Sequence, residues 1–205
     1  MPNLRLSLVL FALVLLPQIS RAKDHSAEYA TLLSALKAGD TSIDYARLRL
    51  SYVDSPEHKK SKDISSQQKA MFAALQNKDF ASALKNAEQV LDYEYVDLDA
   101  HYVAYAANRE LGDSAKAEFH RTIFRGLADS IRNSGDGKTV EKAWVVINVH
   151  EEYVLLRLLG YKPSQQSLVQ KNGHFYDVMQ VKSVDDGSEA TFYFNTDIPM
   201  REEKF

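Results

Sequence analysis

The sequence predicts a mostly α-helical fold with a small α+β unit at its C-terminal end. Three observations carry that reading. Apolar residues recur at helical spacing through much of residues 27–133. Two stretches, Asn77-Lys78-Asp79-Phe80-Ala81-Ser82-Ala83-Leu84 and Leu111-Gly112-Asp113-Ser114-Ala115-Lys116-Ala117-Glu118, align at an offset of 34 residues. That is the period of tetratricopeptide-like helical hairpins. From Ala143 onward the helical spacing gives way to β-branched runs divided by Asn172-Gly173 and Asp186-Gly187, which read as strands and turns. The expected organisation is a signal peptide at 1–22, hairpins over 23–133, and a β-α-β-β-β unit over 134–205 packed on the helices.

Residues 1–22 carry Arg5, an apolar run over 6–16, the helix breaker Pro17, and the small residues Ser20 and Ala22 around Arg21. This is the pattern of a secretory signal. The run is too short for the roughly 20 residues a membrane span needs. Cleavage after Ala22 removes two arginines and no acid, taking the formal charge from −3 to −5. No later run is long enough to span, so no integral membrane segment is expected after cleavage. The expected location is outside the cytoplasm: the periplasm of a Gram-negative source, with secretion to the medium as the second option.

A helix is expected over 27–36, with Tyr29, Leu32, Leu33 and Leu36 on one face and Gly39 ending it. A second follows over 43–52, with Tyr45, Leu48 and Tyr52 inward. Arg47 and Arg49 read as solvated, or one of them as paired with a carboxylate. Residues 54–62 read as a polar loop that exposes His58.

In the repeat, Asp79 and Asp113 fall where a carboxylate opens the second helix of each hairpin. Ala83 and Ala117 fall where the paired helices touch. Upstream, Gln67, Ala70, Met71 and Ala74 align with His101, Ala104, Tyr105 and Asn108. Gly112 suits the interhelical turn, and Lys78 stands there in the first copy. The rival architecture is an ordinary antiparallel bundle, which also buries one stripe per helix. A long helix runs from Ser114 to about Asn133, with Ile123, Phe124, Leu127 and Ile131 inward, and stops at Gly135 and Gly137.

Gly137-Lys138-Thr139 ends like a phosphate-binding loop, but Arg132 stands where that template needs glycine, and a helix precedes it instead of a strand. Asp136 reads as a turn cap. A buried strand is expected over 143–149, then a capping box from Asn148 to Glu151 and a helix over 153–159. Strands over 167–170, 175–181 and 191–195 complete the unit. If the first two strands pair in parallel, their crossover is right-handed.

Composition excludes several classes. There is no cysteine, hence no disulfide, thiol nucleophile or thiolate zinc site. There is no basic stripe of the nucleic-acid-binding kind, no Gly-x-Ser-x-Gly elbow, no His-Glu-x-x-His and no dinucleotide fingerprint. No cofactor is expected.

One constellation carries a chemical possibility. His101 lies 11 residues before Gly112 and His120 lies 8 after it. In a hairpin that mismatch is about 4.5 Å of rise, within side-chain reach. Glu94, Asp97, Asp99 or Glu151 would complete a metal site or a hydrolytic centre with His120 as base. The plainer reading is two packed, hydrogen-bonded rings. Glu151 and Glu152 diverge by about 100° on a helix and do not form an acid/base pair. Either of them meeting Arg47 or His120 would tie the two parts of the chain. His150 and His174 read as surface residues. Tyr93, Tyr95, Tyr102, Tyr105, Tyr153, Tyr161, Tyr176 and Tyr193 serve the core or line a groove.

Six segments carry a resemblance: Tyr45 to Tyr52 (Tyr-Ala-Arg-Leu-Arg-Leu-Ser-Tyr), Ala100-His101-Tyr102-Val103-Ala104-Tyr105, Phe119-His120-Arg121, Ser134-Gly135-Asp136-Gly137-Lys138, Glu151-Glu152-Tyr153, and Phe192-Tyr193-Phe194-Asn195. In this order the chain resembles the bacterial domain-of-unknown-function family numbered 4919, over essentially all of the mature chain. The resemblance implies an exported protein of this architecture and supplies no catalytic residues. The expected function is a non-enzymatic interaction module whose partner is an envelope protein or peptide. The alternative is a metal-binding protein or hydrolase at His101 and His120.

Overall fold

The structure is a computed structural model that describes residues 25–59 and 63–202. The expected signal peptide at 1–22 lies outside the described residues, as do positions 60–62 of the expected loop.

The helices follow the expected order. Helix α1 (His25–Lys37) packs on α2 (Tyr45–Tyr52), whose first turn is capped by the Asp44 carboxylate accepting from Arg47 N–H. A short helix α3 (Pro56–Lys59) lies in the segment expected to be loop. Proline tolerates a first helical turn because its missing N–H has no partner there. His58 is half-buried, not exposed, and its ring stands edge-on to Tyr52 at 4.9 Å.

The two hairpins are α4 (Ser65–Gln76) with α5 (Phe80–Tyr93), and α6 (Leu98–Glu110) with α7 (Ser114–Arg132). Each consecutive pair packs, and α4 also touches α6, as stacked hairpins do. Asp79 caps α5 by accepting from Ser82 N–H, and Asp113 caps α7 by accepting from Lys116 N–H. Ala83 and Ala117 are buried at the helix contacts. Lys78 has φ 59° and Gly112 φ 85°, so both copies turn through the left-handed region although only one has glycine there.

After a 3₁₀ turn at Val140–Lys142 come β1 (Trp144–Val145), α8 (Val149–Leu158), β2 (Tyr161–Lys171), β3 (His174–Ser183), β4 (Glu189–Asn195) and a final helix α9 (Asp197–Glu202). The sheet order is β1-β4-β3-β2, with β1 parallel to β4 and the other neighbours antiparallel. The first two strands therefore do not pair; they run the same way at opposite edges, and α8 joins them. The strand expected over 143–149 shrinks to two residues because Asn148 already caps α8. Val146 N–H still donates to Asn195 O at 3.3 Å. The hairpin β2–β3 is longer than expected, and Pro163 sits inside the edge strand next to a bulge, where proline withholds no needed ladder bond. Asn172 and Gly173 both have positive φ, as a type I′ turn requires.

Two apolar clusters support these elements. One joins α4, α5 and α6 through Met71, Ala83, Val90 and Val103. The other runs from α1, α2 and α7 into the C-terminal unit, joining Tyr29, Leu48, Leu127, Trp144, Met179 and Phe194. A single core thus crosses position 134.

Candidate functional site

His101 and His120 meet across the α6–α7 turn, with their Nδ1 atoms 3.0 Å apart. The Tyr95 carbonyl lies 2.9 Å from His101 Nε2. A carbonyl only accepts, so His101 carries its proton on Nε2. Its Nδ1 then accepts, and His120 Nδ1 donates. His101 is fully buried and stands edge-on to the Tyr95 ring. Burial, reinforced by the neighbouring His120, pushes its pKa down to about 3. Burial and then Lys116 push that of His120 down to about 4. Both rings are neutral, and the nitrogens that face each other are already joined. Among the described residues no three His, Asp or Glu side chains form a set able to hold a metal.

The expected carboxylates are engaged elsewhere. Glu151 is 2% exposed and Arg49 1%. Arg49 donates through one terminal nitrogen to Glu151 Oε2 at 2.7 Å, through the other to Val145 O at 3.1 Å, and through Nε to Ser130 Oγ at 3.0 Å. Of the two readings of Arg49, solvated or paired with a carboxylate, the first is corrected and the second holds. Its guanidinium is the buried tie among α2, α7, β1 and α8, because three acceptors surround it. Glu151 reaches back to Ile147 N–H at 2.9 Å, while Asn148 caps Glu151 N–H at 3.0 Å, one residue off the usual capping box. Burial raises the Glu151 pKa against the lowering effect of Arg49. Arg47 pairs with Glu28 instead.

Glu152 is also fully buried, and faces Asp177 of β3. Neither Glu152 carboxyl oxygen has a hydrogen-bond partner among the described residues, so a charge there would go uncompensated. Burial, then Asp177, pushes the Glu152 pKa up to about 9, so the proton resides there. Gln166 Nε2 donates to Asp177 Oδ2 at 2.6 Å, and Tyr153 O–H donates to Gln166 Oε1 at 2.6 Å.

Asp97 caps α6 and accepts from Gln68 of α4 at 2.8 Å. Asp99 accepts from His150 Nε2 at 2.9 Å and from Arg157. The hydrogen bond to Asp99 raises the His150 pKa. His174 is exposed and bonds Asp197 at 2.6 Å. These contacts tie elements to one another.

The outward-facing feature is apolar. Tyr102 on α6, 41% exposed, stacks at a tilt on Phe124 of α7, ring centroids 5.7 Å apart. Beyond Phe124 a groove of about 410 Å³ runs between α7 and α8, walled by Phe124, Ala128, Leu155, Leu158 and Leu159. Leu158 is 45% exposed. Arg125, Asp129 and Arg132 form its polar edge. Tyr102 is legible as a groove candidate in the sequence, whereas Phe124 reads as part of the inward face of its helix and the leucines of α8 carry no groove signal. Their common surface depends on how α8 lies on α7, which no local pattern states.

No helix among the described residues is long and apolar enough to cross a membrane. No curated protein and no solved structure matches the chain. A family model does match, over residues 18–204, which takes in both hairpins, the Arg49–Glu151 tie and the sheet. The chain belongs to the family described as Domain of unknown function (DUF4919).

Proposed function

We propose that this is an exported, non-enzymatic interaction module of a bacterial envelope that binds a protein or peptide through the α6–α7–α8 surface. The observation that carries the reading is the groove itself: Tyr102 and Leu158 stay open to solvent on either side of the half-buried Phe124. Exposed apolar patches on a soluble chain mark interaction sites. The polar groups with chemical potential are buried and bonded to one another, as at His101–His120 and Arg49–Glu151. Export rests on the sequence pattern of residues 1–22.

Site-specific photocrosslinking in the producing cell tests the binding role. A photoreactive residue at Tyr102 or at Leu158 should give one saturable crosslinked species, and the same group at exposed Glu88 should give none. Equal labelling from all three positions overturns the reading. Mass analysis of the native protein tests export: a chain beginning at Lys23 supports it, and an intact Met1 in the cytoplasm overturns it.

A further inference from the structure

The partner chemistry follows from which charges at the groove are already committed. On α7, Arg121 is bound to Glu118 at 2.6 Å and Arg132 to Asp129 at 2.9 Å. Arg125 lies between them and lines the groove, and among the described residues no carboxylate forms an ion pair with it. Glu118 feels its field but is held by Arg121 in a two-point contact. A single uncommitted guanidinium therefore stands at the rim of an apolar cleft.

Resting on the reading of this groove as a binding surface, we propose that it takes a peptide segment in which a carboxylate lies next to a large apolar side chain. Arg125 binds the carboxylate, and Phe124, Leu155, Leu158 and Leu159 enclose the side chain. A guanidinium fork matches a carboxylate in geometry as well as charge. The cleft volume of about 410 Å³ falls within the range of roughly 300–1,000 Å³ usual for small-ligand sites. Glu118 and Asp129 are interspersed among the arginines of α7 and hold two of them, so the face is not the broad basic field that attracts a bilayer or a nucleic acid. The carboxylate is the peptide's own C-terminus, where it stands on the same residue as the apolar side chain and so matches one guanidinium beside one cleft; preference for the internal glutamate overturns that assignment.

The test uses the full mature chain and a displayed library of random hexapeptides with free C-termini. Selected sequences are remade as free acids, as C-terminal amides, and as amides carrying an internal glutamate. Calorimetric titration compares them. Selected peptides should place a bulky apolar residue beside the carboxylate. Loss of the carboxylate should weaken binding by roughly tenfold or more, as for other charge-assisted hydrogen bonds. Arg125→Gln should erase that difference and leave amide binding unchanged. Leu158→Asp, with unchanged circular dichroism, should abolish binding of every form. The free-acid and internal-glutamate arms tell the two carboxylate sources apart. Indifference to the carboxylate or to Arg125→Gln overturns the proposal, as does equal binding of phosphatidylglycerol vesicles. Binding that survives Leu158→Asp also overturns it, while the interaction-module reading stands. A library that yields no binder overturns both.

Discussion

Arg49 of α2 and Glu151 of α8 are joined at 2.7 Å while neither side chain is more than 2% exposed. The two residues are far apart in sequence, and between them they hold α2 and β1 to α8. Removing one partner leaves the other charged in an apolar setting. Arg49→Ala should therefore cost about 3–5 kcal/mol, and Arg49→Met with Glu151→Leu markedly less. Urea unfolding of Arg49→Met, of Glu151→Leu and of the two combined measures the coupling. Equal losses for single and double variants would refute the tie.

Glu152 makes stability fall as pH rises. Its pKa is about 9 in the folded chain against an ordinary 4.5. Between those values the unfolded chain releases the proton and the folded chain keeps it. The stabilisation is full below pH 4.5 and is lost as pH rises toward 9. Glu152→Gln should gain on the wild type with rising pH, by at most about 1.4 kcal/mol per pH unit. Chemical denaturation at pH 5, 7 and 9 gives the slope.

The histidine pair works in the opposite direction. Folded values of about 3 and 4 lie below the ordinary 6.5. Their contribution is complete above pH 6.5 and is lost as pH falls through 4 and then 3. Imidazole carbon resonances of His101 and His120 should stay flat from pH 8 to 5. A ring of the pair titrating near 6.5 would contradict the buried neutral arrangement.

The repeat makes a paired prediction. Asp79→Ala and Asp113→Ala remove equivalent caps and should each cost about 1 kcal/mol. Lys78 turns through the left-handed region with a side chain attached. Lys78→Gly should stabilise by several tenths of a kcal/mol or more, and Gly112→Ala should cost about 1 kcal/mol. Thermal unfolding of the four variants checks both pairs.

Local chemistry was readable wherever one residue type has one structural job. Asp79 and Asp113 announced helix starts, Asn172-Gly173 a hairpin, and Ala83 and Ala117 close contacts. His101 and His120 were brought together by counting from Gly112. What stayed hidden depended on distant partners. Arg49 looks like any helix-surface arginine until Glu151, Ser130 and Val145 surround it. Glu152 is in a helix whose buried face also holds Leu155 and Leu156, and only the arrival of β3 sets Asp177 against it. The exposed strand β2 has no inward face, so it lacks the alternation that announces a strand. Helix α9 is too short to show a period.

The sheet order has a practical outcome. Trp144 is the sole indole of the chain, and its ring lies between Phe192 and Phe194, at 5.1 and 5.4 Å. It is contributed by the strand that begins the C-terminal unit and covered by the strand that comes last. Its emission spectrum thus registers the packing of β4 and of the Gly137 turn against β1. A probe of α-helix content follows the hairpins instead, so comparing the two signals reveals whether both ends of the molecule melt as one.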